Sequence, residues 1–378
     1  MIRRNLLCVF VVMVLAGYSI TIRPAQGASE FKTVRSPCSL RFPADHGPHP
    51  GYRSEWWYYT GNLQSSGGRQ FGYQVTIFRY QTSPPGDAEQ WPDPGSAWRT
   101  QQVFIAHAAV ADLEMNVHHQ SQTVARAALG MAAADYRNRQ TTISVGNYSI
   151  NIDLLSHVVR ASAADFAIDL RLAPQKPLVL HGKQGYSRKG NQPAEASCYY
   201  SFTRLLTNGT VSVRGRTETV TGLSWMDHEF STAPLAPDLV GWDWFSLQLD
   251  NQTELMLYLL RQADGQYSTA SSGAFIDAKG NVTPLDLKEF TLDIPQTWTS
   301  PYSGGTYPST WHIRIPKIGL QVSIQAQMAN QEMRTEQTTN VVYWEGSVKA
   351  DGRLKGQVIS GKGYVELTGY AKPFKAPL

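Results

Sequence analysis

The densest group of ionisable side chains in the sequence is the run Asp227-His228-Glu229, which Trp225 and Phe230 flank. Apolar surroundings desolvate a carboxylate and raise its pKa, so that a protonated acid persists near neutral pH. In a strand, Asp227 and Glu229 share one face and His228 points to the other. The run predicts a proton-transfer site with Asp227 as the general acid, and with His228 or Glu229 holding a water molecule. A structural hydrogen-bonded cluster is the alternative interpretation.

A second signal is the aromatic run Trp56-Trp57-Tyr58-Tyr59. Alternation places Trp56 and Tyr58 on one face of a strand and Trp57 and Tyr59 on the other. We expect one row to line the interior of a barrel and the other to pack on a second domain. Core packing is the alternative for each ring. The predicted ligand-binding residues are Trp56, Trp57, Tyr58, Tyr59, His107, Trp225, Trp242 and Trp244.

Other polar residues near this run are Asp45, His46, His49 and Glu55. We interpret Glu55 as one partner of a structural ion pair with Arg79 or Arg53. The two histidines do not supply the three or four converging ligands of a zinc site, so we expect no metal. The sequence has no Gly-x-Ser-x-Gly elbow, phosphate loop or dinucleotide fingerprint, which argues against a serine hydrolase and against a nucleotide cofactor.

The elements that must position these residues are short strands. In 70–80 successive side chains fall alternately on the two faces of a strand. Similar runs recur along the chain between turns such as Asn208-Gly209 and Asp351-Gly352. Many short strands separated by Gly, Asn and Asp turns are typical of an all-β sandwich or barrel. The best helix candidate is 124–136.

A weak internal repeat, called the echo below, predicts two similar units. Trp56-x-Tyr58-x-Thr60-x-Asn62-Leu63 resembles Trp242-x-Trp244-x-Ser246-x-Gln248-Leu249, and each is followed by a hairpin and a strand ending in arginine. The length also favours two domains. We expect the second unit to begin between about 215 and 240, and we assign 28–225 and 226–378 to the two domains.

The N-terminus has the features of a secretory signal. Arg3 and Arg4 precede a mostly apolar run, and small residues surround a cleavage point after Gly27. An uncleaved anchor is the alternative. Removal of residues 1–27 takes away three arginines and no acid, so the net charge falls from +4 to +1, which argues against nucleic acid as a partner. In a periplasmic or secreted protein, Cys38 and Cys198 either form a disulfide or remain two free thiols.

Several segments closely resemble the AttH-type lipocalin-like family, whose members are often labelled predicted secreted hydrolases and are related to CrtC-type carotenoid hydratases. The segments are Asp45–Pro50, Ser54–Leu63, Phe71–Arg79, Trp225–Phe230 and Gly241–Trp244. The resemblance implies two tandem lipocalin-like antiparallel β-barrels. The hydratases add water across a carbon–carbon double bond without a cofactor. Their acidic Asp matches Asp227, but Glu229 stands where their motif has Asn.

Together these features predict an exported protein that binds an apolar, isoprenoid or lipid-like molecule. One hypothesis is a cofactor-independent hydratase or isomerase with Asp227 as acid. The second is a non-enzymatic periplasmic lipid carrier, for which association with a membrane surface or a transporter is expected. A secreted hydrolase is a third.

Overall fold

The computed structural model describes residues 30–91, 95–233 and 235–374. Within them the regular structure is β-strand, apart from four short 3₁₀ helices at Ala44–His46, Pro85–Gln90, Leu287–Glu289 and Pro316–Ile318. This confirms the all-β class. No helix in the described part of the chain is long and apolar enough to cross a membrane. The predicted signal segment, 1–27, lies outside the described residues.

The first sheet is antiparallel and curls into a nearly closed barrel. Its strands are β1 Ser54–Ser65, β2 Gln70–Gln81, β3 Gln102–Asp112, β4 Val117–Arg126, β5 Ala132–Arg137, β6 Gln140–Val145, β7 Tyr148–Ile152, β8 His157–Ser162, β9 Phe166–Pro174, β10 Val179–Leu180, β11 Tyr186–Arg188, β12 Ala196–Val213 and β13 Arg216–Ser231. Their order is β4-β3-β2-β1-β13-β12-β9-β8-β7-β6-β5, and β10 and β11 both pair with β12.

The second sheet is also antiparallel and forms a half barrel. Its strands are β14 Leu239–Leu249, β15 Glu254–Gln262, β16 Ser272–Ile276, β17 Val282–Asp286, β18 Thr291–Thr299, β19 Thr306–Ile315, β20 Leu320–Ala326, β21 Glu332–Arg334, β22 Val342–Leu354 and β23 Gln357–Thr368. Their order is β17-β16-β15-β14-β23-β22-β20-β19-β18, and β21 pairs with β22.

The two sheets repeat one plan. In each, the aromatic first strand, β1 or β14, lies between the next strand of its hairpin and the last strand of the sheet, β13 or β23. This arrangement agrees with the two-unit organisation predicted from the echo. The first sheet ends at Ser231 and the second begins at Leu239, inside the expected range of 215–240 and later than the boundary assigned at 225/226. The reason is that the Asp227 segment completes β13, which pairs with β1.

Successive side chains of the central strands β1 and β14 point to opposite faces, and both faces are buried. In β1, Trp57 and Tyr59 enter the core of the first barrel, whereas Tyr58 joins an aromatic cluster between the two sheets. In β14, Phe245 enters the core of the second barrel and Trp244 joins the same cluster as Tyr58. The shared face of the two sheets is therefore aromatic.

The predicted helix over 124–136 is wrong. The segment contains the end of β4, a turn in which Leu129 and Gly130 have φ values of 52° and 74°, and the start of β5. The helix propensity of its alanines is only a few tenths of a kilocalorie per residue. Pairing with neighbouring strands outweighs so weak a preference.

Cys38 and Cys198 form a disulfide, with their Cα atoms 5.9 Å apart. Of the two states left open by the sequence, the oxidised one is present. The bond ties the segment before β1 to the start of β12, near a buried apolar cluster that includes Phe230. It therefore anchors the segment that leads into the first barrel.

Candidate functional site

A cavity of about 270 Å³ lies between the two sheets. Both sheets supply its walls, and aromatic side chains are prominent in the lining. The first sheet contributes Trp56, Tyr58, Phe78, Tyr80, His107 and Tyr199, and the second contributes Trp242, Trp244, Tyr258 and Tyr343. Concave, mostly apolar sites with a few polar groups are typical of small-molecule binding.

The acidic residues of β13 lie on the first wall because of strand register. Asp227 is the cross-strand partner of Tyr58 on β1 and of Ser201 on β12. Glu229 is in the same way the partner of Trp56 and Tyr199. Residues directly opposite in an antiparallel pair share a face. Asp227 and Glu229 therefore share one face of β13, as the alternation predicted, and both line the cavity.

Asp227 is buried and accepts several hydrogen bonds. Trp225 Nε1 donates to Oδ1 over 2.6 Å, Ser201 Oγ donates to the same oxygen, and Tyr199 Oη donates to Oδ2 over 2.8 Å. Burial raises the pKa of Asp227 to about 7, although these three donors oppose the change. A carboxylate has about four acceptor positions, so Oδ2 keeps one for a ligand. Asp227 thus populates both protonation states near neutral pH.

Glu229, unlike Asp227, has a lysine as its partner. Lys189 Nζ lies 2.8 Å from Glu229 Oε1, and Ser197 Oγ donates to the same oxygen. The ammonium group also sits 4.0 Å from the ring centroid of Tyr258, a cation–π arrangement that crosses to the second sheet. Glu229 therefore has a lysine partner on this wall, whereas the hydrogen-bond partners of Asp227 are uncharged.

The opposite wall holds two carboxyl groups that the sequence analysis missed. Glu345 on β22 and Glu366 on β23 are direct cross-strand partners, and both line the cavity. Burial raises the pKa of Glu366 to about 7, and the negative charges of Asp227 and Glu229 add to the effect. Burial, reinforced by Glu366, raises the pKa of Glu345 well above its usual value. Like charges this close favour a shared proton.

A signal for these residues was present in the sequence. Each is a glutamate two positions after a tyrosine, in Tyr343-Trp344-Glu345 and Tyr364-Val365-Glu366. The echo could also have located Glu366. Trp244 pairs with Glu366 just as Tyr58 pairs with Asp227, so the two acids occupy equivalent places in the two sheets.

The tryptophans of β14 connect the walls. Trp244 Nε1 donates to Tyr199 Oη over 3.1 Å, and that hydroxyl in turn donates to Asp227. The Trp244 ring meets Tyr58 edge to face, with centroids 5.2 Å apart. Trp244 of the second sheet therefore helps to orient the Tyr199 hydroxyl, which donates a hydrogen bond to Asp227.

His107 lies on the cavity wall rather than inside the first barrel. Its ring nitrogens are hydrogen-bonded to Tyr343 Oη at 3.1 Å and to Thr338 Oγ1 at 2.9 Å, both in the second unit. Burial lowers the pKa of His107 to about 3. A neutral histidine with both nitrogens engaged holds the two sheets together and is not a ready proton donor.

Of the predicted site residues, Asp227, Glu229, Trp56, Tyr58, His107, Trp242 and Trp244 line the cavity, whereas Trp57, Tyr59, Trp225 and His228 are not among its described lining residues. Trp57 and Tyr59 fill the first core. Trp225 acts through its hydrogen bond to Asp227. His228 faces the other side of β13, where Nε2 lies 2.8 Å from Glu55 Oε1.

Glu55 forms the predicted ion pair with Arg79, whose Nε lies 2.8 Å from Glu55 Oε2. His49 Nδ1 lies 2.7 Å from Oε1 of the same carboxylate, and the charge of Glu55 raises the pKa of His49 to about 9 against the effect of burial. His49, Glu55 and His228 place possible metal-ligand atoms within 4.8 Å of one another. These atoms are already hydrogen-bonded to each other beside a guanidinium group, so the cluster fits a structural network better than a cation site.

Comparison with known proteins identifies the family. The AttH-like family model matches residues 33–370. A putative AttH from Nitrosomonas europaea is 31% identical, with a TM-score of 0.78 over 90% of this chain and 100% of that one. Kievitone hydratase from Nectria haematococca is 19% identical, with a TM-score of 0.66 over 91% and 98%. CghA with Sch210972 is 11% identical, with a TM-score of 0.54 over 85% and 89%. No curated protein matches the chain. The chain belongs to the AttH-like family, as its motifs indicated.

Proposed function

We propose that this protein is a cofactor-independent acid–base enzyme that transfers a proton to or from an unsaturated, largely apolar small molecule in the cavity between its barrels. The reaction class is addition of water to a double bond or migration of that bond. The observation that carries the proposal is Asp227, a buried carboxyl group with a pKa of about 7 on an aromatic-lined wall. A general acid or base is most effective when its pKa lies near the working pH.

The surrounding residues suit this chemistry. The protonated form of Asp227 can give its proton to a carbon of the ligand, and the charge that develops there is favoured by the faces of Trp56, Trp242 and Trp244. On the opposite wall, the ionised form of Glu366 can receive a proton from a water molecule that attacks the ligand. Three donors hold the Asp227 carboxylate after it has lost its proton, so the ionised state is also supported.

The similar structures lend the proposal further support at the level of the fold. One is named a hydratase, and another is described with the small molecule Sch210972. Their low identities carry no residue roles across, so the residue assignments rest on the cavity of this chain.

A hydrolase finds less support in the site. Ser201, His181 and Asp227 are neighbours, with His181 Nε2 2.7 Å from Ser201 Oγ. In a nucleophilic triad the histidine lies between serine and acid. Here Ser201 lies between, because it donates to Asp227. Ser201 is also not among the described residues that line the cavity.

We also propose that the protein works in an oxidising compartment outside the cytosol. The disulfide between Cys38 and Cys198 and the signal-like N-terminus support this location. Secretion-dependent removal of residues 1–27, measured by mass spectrometry of the protein from its native host, tests it.

The function is tested by identifying the bound molecule and following its hydrogen atoms. The protein is purified from its native host and extracted with organic solvent, and the extract is analysed by mass spectrometry. The molecule is then incubated in D₂O with wild type, Asp227→Asn, and Asp250→Asn as a control at an exposed site. We expect wild type and the control to introduce deuterium at carbon, with or without addition of water, and Asp227→Asn to bind the molecule without exchange.

Two outcomes contradict the proposal. If Asp227→Asn exchanges deuterium at carbon at the wild-type rate, Asp227 takes no part in the chemistry. Capture of a defined lipid by wild type with no isotopic change favours the carrier function that the aromatic cavity could also serve.

A further inference from the structure

Two buried polar atoms, both on residues that line the cavity, have no hydrogen-bond partner of normal geometry among the described residues. They are the Tyr58 hydroxyl and Glu345 Oε1. The residues are 6% and 1% exposed. The two groups lie close enough for a weak, poorly aligned hydrogen bond between them to affect both pKa values, but neither atom has a partner of normal geometry. A buried polar group without a partner costs about 1–3 kcal/mol, so a pair of them in the wall of a cavity points to a ligand atom that would satisfy both.

Both groups donate a hydrogen bond when protonated, and the surroundings of each favour the protonated form. Burial, together with the negative charge that the Glu345–Glu366 pair retains when it shares one proton, raises the pKa of Tyr58 well above 10, so its hydroxyl keeps its proton. Glu345 is opposed across the strand pair by Glu366, and burial and that neighbour raise its pKa well above the usual value. A neutral carboxyl group in an apolar site can donate a hydrogen bond to a substrate oxygen.

We propose that Tyr58 and Glu345 form a two-donor site for a carbonyl oxygen, and that the substrate is therefore an enone or an enolisable ketone. This inference rests on the proposed function, because it names the substrate class for the same cavity. Tyr58 and Asp227 are direct cross-strand partners, and such residues have Cβ atoms about 4.5–5.5 Å apart. One substrate can therefore place its carbonyl oxygen at Tyr58 and an adjacent carbon at Asp227.

The chemistry balances without a co-reactant. The ionised Asp227 removes a proton from the carbon next to the carbonyl. The C–H electrons form a new C=C bond and the carbonyl π electrons move to oxygen. Tyr58 and Glu345 hold the resulting enolate oxygen, and Asp227, whose acidic proton exchanges with solvent, returns a proton to a carbon further along the conjugated system. The net change is migration of a double bond.

Water addition uses the same enolate. The water oxygen bonds to the β-carbon of an enone, its leaving proton goes to the Glu366 carboxylate, and protonated Asp227 supplies a proton to the α-carbon. A carboxyl group of moderate acidity exchanges protons with such an activated carbon far more readily than with an isolated alkene, because the oxygen, not the carbon, bears the charge.

The test uses probes that share one ring and differ in the group presented to the donors. The probes are 4-nitrophenol, which can bind as an oxyanion, 4-nitroanisole, which cannot, and 4-nitrobenzylamine, which is a cation. Binding is followed by quenching of tryptophan fluorescence, and ionisation of the bound phenol by its absorption spectrum. We expect wild type to bind 4-nitrophenol as the phenolate and at least roughly tenfold more tightly than either other probe.

Variants assign the effect to the two donors. Tyr58→Phe and Glu345→Met should each weaken phenolate binding roughly tenfold to hundredfold, the usual worth of a hydrogen bond to a charged group, and should leave 4-nitroanisole unaffected. Glu345→Gln, which keeps an N–H donor, should restore part of the binding. Tyr364→Phe is the matched control, because its buried hydroxyl also lacks a partner but is not among the described residues of the cavity wall.

The proposal is overturned if wild type does not bind the phenolate, if the anisole binds equally well, or if the amine binds most tightly. The last result would indicate a cationic ligand for the four acids. Phenolate binding requires no turnover, so it tests the two-donor site independently. The proposed function itself fails if Asp227→Asn retains isotope exchange.

Discussion

Replacing Asp227 with asparagine should stabilise the fold increasingly as the pH rises. In the unfolded chain the carboxyl group titrates near its model value of 3.8, whereas in the folded protein burial raises its pKa to about 7. Between these values the unfolded chain loses the proton that the folded protein retains. Each pH unit in this window therefore lowers the free energy of unfolding by about 1.4 kcal/mol.

The magnitude follows from the width of the window, about three pH units, which corresponds to about 4 kcal/mol. Asparagine does not titrate, so the difference between the free energies of unfolding of the variant and wild type should grow by about that amount from pH 4 to pH 8. Below pH 4 the difference should be constant. The buried histidines, whose pKa values are lowered, destabilise both proteins on acidification and cancel in the comparison.

The measurement is urea denaturation of both proteins at intervals of half a pH unit. Asp250→Asn is the control, because Asp250 is exposed and the hydrogen bonds from Ser360 lower its pKa; its difference from wild type should show no rise with pH. A flat difference for Asp227→Asn would mean that Asp227 ionises normally in the folded protein, and the argument for it as a proton donor would collapse.

Three further perturbations test the scaffold. Replacing Cys38 and Cys198 together by alanine should cost about 2–5 kcal/mol in urea denaturation, and equal stability of the reduced and oxidised wild type would contradict a stabilising role for the bond. Arg79→Met should cost about 3–5 kcal/mol because it removes the guanidinium partner of buried Glu55; a neutral effect would show that the histidines suffice. Gly72→Ala should lower stability by about 1–3 kcal/mol and weaken probe binding, since its Cβ would lie 2.8 Å from a side chain of the second sheet. Unchanged probe binding would show that the two sheets adjust without altering the cavity.

Much of the architecture followed from local pattern. The alternation around Trp56 and Tyr58, and its echo at Trp242 and Trp244, predicted strands and two similar units. It also placed Asp227 and Glu229 on a common face. These results depend on neighbours within one or two strands, for which the period-two rule is reliable.

The missing parts depend on long-range pairing. Alternation divides β1 into two aromatic faces but does not say which one a second barrel will cover, so Trp57 and Tyr59 were predicted as ligand-binding residues although they fill the first core. Glu345 and Glu366 meet only because β22 pairs with β23 and that pair faces β13 across the cavity. The alanines near Gly130 were misassigned because strand pairing outweighed their helix propensity.

The order of the wall residues along the chain has a consequence for biosynthesis. The first barrel closes when β13 pairs with β1, so it can fold with Asp227 in place while the ribosome is still making the second half. Glu366 comes from β23, the final strand described. A chain released before that strand would carry the acid of one wall, exposed to water, without the facing carboxyl pair. Exposure would return the pKa of Asp227 towards its ordinary value, so an incomplete chain would be inert and would not be a source of unguided proton transfer.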